Sequence, residues 1–151
     1  MIYQGKARHP VREVVLHCAA INTGQFDGMP PFQVFATIDK WHRQRQPPFK
    51  CFGYHGLIMP SGLFYRGRPF DQIGAHVIGH NAGTLGFLLI ESRKITQVGQ
   101  FSDWFTPAQD KVLRAMLEDL RISQAIQTVS GHNDYASKLC PGFRVSEWLN
   151  A

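Results

Sequence analysis

Nowhere in this chain do apolar residues run on for long. The most continuous stretch, Leu85-Gly86-Phe87-Leu88-Leu89-Ile90, falls far short of the ~20 residues that a membrane-crossing helix needs. This excludes an inserted helical membrane protein. The first ten residues, Met1 to Pro10, contain no apolar core of signal-peptide length, so synthesis in the cytoplasm without an export signal is expected. Cysteine is scarce: three residues, Cys18, Cys51 and Cys140. An odd count without an export signal argues against a disulfide framework. Charge is also sparse, at 18% of residues against 44% hydrophobic, which excludes a disordered polyelectrolyte. There is no internal repeat and no low-complexity segment. One domain over residues 1–151 is the expected organisation, with a core large enough to need no staples.

Acidic residues are outnumbered, 11 to 16, for a net charge of +5. The imbalance lies in residues 1–75, with nine Lys/Arg and four Asp/Glu; residues 76–151 hold seven of each. A basic surface attracts acidic polymers. Nucleic acid and peptidoglycan both qualify, and charge alone does not choose between them.

Residues 12–17 read as a buried strand ending on His17. Asn22 to Phe32 is rich in Gly and Pro and reads as a loop. From Gln33 to Arg45 the residues Val34, Phe35, Ile38 and Trp41 follow helical spacing, and Pro47-Pro48 ends that helix. Tyr54–Met59 and Leu63–Arg66 read as strands joined by a Pro60-Ser61-Gly62 turn. Leu85–Ile90 reads as a central strand covered on both faces. Thr106 caps a helix with Pro107 in its first turn and Gln109 completing a capping box. Ala108, Val112, Leu113, Met116, Leu117 and Leu120 form its buried stripe. A short strand at Thr128-Val129 leads to His132, and residues 145–149 read as a last helical turn or two. Strands alternate with helices, which predicts an α/β fold: one domain with a central mixed β-sheet flanked by α-helices.

The last quarter carries the chemistry. His132 and Cys140 stand eight positions apart, with Lys138 two residues before the cysteine. His17 lies far upstream at a strand end. Strand ends converge at one edge of a sheet, so these residues can meet there. Two His and one Cys give three protein ligands, which leaves a tetrahedral zinc one position for water. Each residue alone also has a plainer reading, as a partly buried polar group or a packed thiol. Cys18 and Cys51 read as small buried hydrophobes. His9 and His42 read as surface residues, His55 as a core histidine, and His80 as nothing specific. His76, in the Gly-rich segment Gly74 to Asn81, reads as a cleft residue that could contact substrate. Asp134 has two readings, a partner for the ligand loop or an Asx turn.

Six segments then occur in order along nearly the whole chain. They are Val15-Leu16-His17-Cys18-Ala19, Trp41-His42, Gly53-Tyr54-His55, Gly74-Ala75-His76, Phe105-Thr106-Pro107-Ala108-Gln109, and His132-Asn133-Asp134 through Lys138-Leu139-Cys140-Pro141. This ordered set resembles the zinc-dependent N-acetylmuramoyl-L-alanine amidases of the type-2 amidase and peptidoglycan-recognition family, in its phage-endolysin branch. The resemblance implies Zn2+ at His17, His132 and Cys140, at the sheet edge, and catalytic partners at Tyr54 and Lys138. It implies hydrolysis of the bond between N-acetylmuramic acid and L-alanine in peptidoglycan, by a monomer that acts in the periplasm after release from the cytoplasm. Retention of Cys140 sets the chain apart from the non-catalytic recognition proteins. Three other readings stay open: a peptidoglycan-binding protein that does not cut, a regulator that inhibits a phage RNA polymerase, and a cytoplasmic muropeptide-recycling amidase. Ser92–Trp104 and Asn22–Phe32 match the family pattern least.

Overall fold

The computed structural model describes residues 1–151. Five strands make the central sheet: β3 (Glu13–Cys18), β4 (Gly56–Ile58), β5 (Phe64–Arg66), β6 (Thr84–Leu89) and β7 (Thr128–Gly131). Their order is β5-β4-β6-β3-β7. The pairs β4–β6, β6–β3 and β3–β7 are parallel, and β4–β5 is antiparallel, so the sheet is mixed as expected. A separate two-stranded ribbon, β1 (Tyr3–Gln4) with β2 (His9–Pro10), precedes it and was not legible beforehand.

Side chains alternate across the two faces of a strand, and here both faces are covered. Val14, Leu16 and Cys18 of β3, with Leu85, Phe87 and Leu89 of β6, pack under helix α3 (Pro107–Gln124) through Leu113, Leu117 and Leu120. The short helices α2 (Phe101–Trp104) and α4 (Val145–Leu149) complete that layer with Phe101, Trp104, Val145 and Trp148. On the other face, Leu57, Leu88 and Ile90 meet Val34 and Ile38 of α1 (Pro31–Gln44) and the ring of Phe52. His17 belongs to this second face, where its ring neighbours those of Tyr54, His76 and His132. That part of the face carries polar groups instead of a hydrophobic core.

Helix α3 begins as its sequence signals indicate. Thr106 accepts a hydrogen bond from the Gln109 amide, and the Gln109 side chain accepts in return from the Thr106 N–H. The buried Gln109 carboxamide also donates to the carbonyls of Ile58 and Ile90, fastening α3 to the ends of β4 and β6. Two expectations need adjusting. Helix α1 starts at Pro31, within the segment read as loop, because proline suits the first helical turn. The expected strand Tyr54–Met59 shortens to Gly56–Ile58, although His55 N–H still donates to the Gly86 carbonyl.

Candidate metal centre

The parallel strands β3 and β7 end side by side, which sets His17 and the turn that follows β7 next to each other. His132 opens that turn, a 3-10 segment over His132–Asp134. The chain then folds back so that Cys140 reaches the end of β3. One ligand atom from each of His17, His132 and Cys140 lies within 4.8 Å of the others. These three residues could hold a metal ion. The Cys140 Sγ stands 3.8 Å from His17 Nδ1 and accepts a hydrogen bond from the Cys18 N–H at 3.2 Å.

Hydrogen bonding fixes which nitrogen of His17 faces the centre. Thr84 Oγ1 donates to the Asn81 carbonyl at 2.9 Å, so it accepts from His76 Nε2–H at 3.1 Å. His76 Nδ1 is then the acceptor for His17 Nε2–H at 2.9 Å. The lone pair of His17 is left on Nδ1, on the Cys140 side. A metal-binding histidine commonly has its second nitrogen engaged in this way. His76 therefore differs from its expected place in the cleft. It is buried at 8% exposure with both ring nitrogens bonded, leaving neither for a substrate. Its ring lies over Gly86, where a Cβ would come within 2.6 Å of it. Only glycine leaves this space in β6.

The electrostatics suit a thiolate ligand. The Cys140 thiol is held well below its ordinary pKa, first by the hydrogen bond from Cys18, against the opposing effect of burial, and then by the neighbouring His132 and His17. The Cys18 thiol, as donor to Cys140 and buried, is pushed up. Burial keeps His17 neutral by lowering its pKa. Tyr54 is half-buried with its ring 4.9 Å from that of His17, and burial raises its pKa, so it stays a neutral phenol. Lys138 is exposed on the loop between His132 and Cys140.

Other expected residues fall as follows. His55 is buried; its Nδ1 accepts from Gly86 N–H and its Nε2–H donates to the Gln72 carbonyl. His42 is half-buried rather than a surface residue, because its Nδ1 accepts from Gly53 N–H. Cys51 is only partly buried. Asp134 closes the ligand turn on itself, accepting from Gly131 N–H at 2.8 Å. Two carboxylates went unnoticed in the sequence. Glu91 accepts from the amides of Ala19 and Ala20, both at 2.8 Å, and so shapes the loop that leaves His17 and Cys18. Glu13 is a charged residue just before the apolar run Val14-Val15-Leu16, which was the available signal.

Residues 7–143 match the family model described as N-acetylmuramoyl-L-alanine amidase. The chain belongs to this family. It is 30% identical over 141 residues to the endolysin of Klebsiella phage KP32, covering 93% of this chain and 87% of that one. Among solved structures it is similar to the N-acetylmuramoyl-L-alanine amidase LysC from Clostridium intestinale URNW, with TM-score 0.71, 29% identity, and coverage of 95% of this chain and 87% of that one. Drosophila PGRP-LB shares the fold, with TM-score 0.73 at 18% identity over 99% of this chain and 83% of that one. Family membership makes the chain an amidase, a hydrolase of the endolysin type.

Proposed function

We propose that this amidase is zinc-dependent and cuts the bond between N-acetylmuramic acid and L-alanine in peptidoglycan, as a phage or prophage endolysin. The convergence of His17, His132 and Cys140 carries the reading. The donor set fits the ion: two imidazoles and a thiolate match the nitrogen and sulfur preference of zinc, and three protein ligands leave a position open, as at catalytic sites. His17 through Nδ1, His132 and Cys140 would hold it. Zinc bound there supplies a Lewis acid that polarises a carbonyl and makes water acidic enough to attack near neutral pH.

The chain's own residues do the rest. The ammonium of Lys138, on the ligand loop, stabilises the negative charge that develops on the scissile carbonyl oxygen. The phenol of Tyr54, held neutral by burial, orients the attacking water or passes a proton to the leaving amine. His76 contributes by orienting His17 rather than by touching substrate. The basic first half draws the chain to the carboxylates of the wall polymer. No helix is long and apolar enough to cross a membrane.

Digestion of purified Gram-negative sacculi, read by mass spectrometry, tests this. Stem peptides beginning with L-alanine should appear, vanish with a chelator and return with zinc. A folded, zinc-loaded protein that releases nothing would leave a wall-binding or polymerase-binding protein, and a pull-down with phage RNA polymerase would then decide between them.

A further inference from the structure

Away from the three converging residues, on the same face of the sheet, lies a second polar cluster that the proposed chemistry does not use. Its centre is Glu13, at the start of β3 and 9% exposed. One carboxylate oxygen, Oε2, accepts from Ser130 Oγ at 2.6 Å and from the Tyr135 hydroxyl at 2.5 Å. The other, Oε1, accepts from His80 Nε2 at 2.8 Å. The His80 and Tyr135 rings lie against each other, centroids 4.1 Å apart and tilted by 30°. Burial works against the charge on Glu13, but the three hydrogen bonds outweigh it and hold the carboxyl below its ordinary pKa.

The position of these donors in the chain gives the cluster its meaning. Ser130 is two residues before His132, and Tyr135 is three after it. One carboxylate oxygen thus ties both flanks of the turn that presents His132. His80 belongs to the loop that carries His76, the partner of His17. A single buried carboxylate therefore fastens two segments: one presents a metal-centre histidine, the other holds that histidine's neighbour in place. Nothing about folding alone requires a charge here, since a burial of this kind is costly unless fully bonded.

We propose that Glu13 is a positioning residue for the metal centre: its carboxylate clamps the His132 turn through Ser130 and Tyr135 and so sets the affinity of the site for zinc. This rests on the metal reading given above. Outer partners of metal ligands typically govern about ten- to a hundredfold in metal affinity.

The test is zinc affinity of the full-length protein, by competition with a chromogenic chelator, together with the melting temperature of the metal-free form. Glu13→Leu should weaken zinc binding by about tenfold or more. Glu13→Gln should stay near wild type, because its carbonyl oxygen can accept both hydroxyls while its NH2 donates to the other tautomer of His80. Tyr135→Phe removes one hydroxyl at a half-exposed position, and it decides the matter should Glu13→Leu fail to fold. It should weaken zinc binding several-fold without a matching loss of melting temperature. Zinc affinity unchanged in Tyr135→Phe overturns the clamp. So does a Glu13→Gln variant as weak as Glu13→Leu. A folded wild-type protein that binds no zinc overturns the metal reading itself, and the clamp with it; the two failures are told apart by the wild-type measurement.

Discussion

Lys138 and Cys140 are two positions apart, yet their surroundings assign them different work. Cys140 turns in to the end of β3, where the hydrogen bond from Cys18 and the neighbouring imidazoles lower its pKa. Lys138 stays exposed and free to meet substrate. A charge placed where negative charge develops in the transition state acts on turnover and not on metal binding. Lys138→Ala should therefore keep its zinc, measured by elemental analysis, while release of peptide from sacculi falls by about 10²–10³. Turnover near the wild-type rate would remove Lys138 from the mechanism. The histidines make the same point about surroundings. His17 and His76 are both buried and joined to each other, but only His17 directs a free lone pair toward Cys140. The identity of the amino acid offers a ligand; the hydrogen bond on its far nitrogen decides whether it can serve.

Among the elements, α3 best shows what local sequence can announce. Its cap, its first-turn proline and its apolar stripe all lie within a few residues of one another, so the helix was legible almost to its first residue. Gln109 was legible as part of a capping box but not as the stitch between α3 and the sheet, because its partners Ile58 and Ile90 are brought there by strand pairing. Gln109→Leu keeps the volume and takes this donor from the Ile90 carbonyl, while the Ile58 carbonyl still accepts from the Ile90 N–H. An unsatisfied buried group costs about 1–3 kcal/mol, so urea unfolding should show a loss of about 1–3 kcal/mol. A loss under about 0.5 kcal/mol, the usual scatter of surface changes, would mean that water replaces the carboxamide. The same contrast runs through the site. His17, His132 and Cys140 stood out because a metal needs their residue types, and parallel strand ends are a known place for them to meet. The roles of Glu13 and His76 could not be read in advance. They depend on β3 pairing with β6 and β7 in one register, which sets Glu13 against Thr84 and Thr128. That register is a property of the assembled sheet, not of any one segment.

Three of the seven histidines, His17, His55 and His76, are buried and His42 is half-buried, and this gives the fold a characteristic response to acid. His42 and His55 are both pushed down to about 4, each chiefly by burial. His42 faces Arg45 and Arg68, which lower it further, against the opposing pull of Asp39. His55 feels Arg68 in the same direction, opposed by its hydrogen bond to the Gln72 carbonyl. An unfolded histidine takes up its proton near pH ~6.5. Above that pH both states are neutral and the full stability is present. Between about 6.5 and 4 the unfolded chain binds protons that the folded chain refuses, so stability falls as pH falls. Each such histidine adds a slope of up to about 1.4 kcal/mol per pH unit. Urea unfolding of the metal-free protein at pH 7 and pH 5 should show this loss. His42→Gln offers an oxygen to the Gly53 amide without a titrating ring, and its loss between the two pH values should be smaller than that of wild type by close to one proton's worth. Equal losses in the two proteins would mean that His42 is protonated in the folded state at pH 5, and that its ring is less shielded than its contact with Gly53 implies.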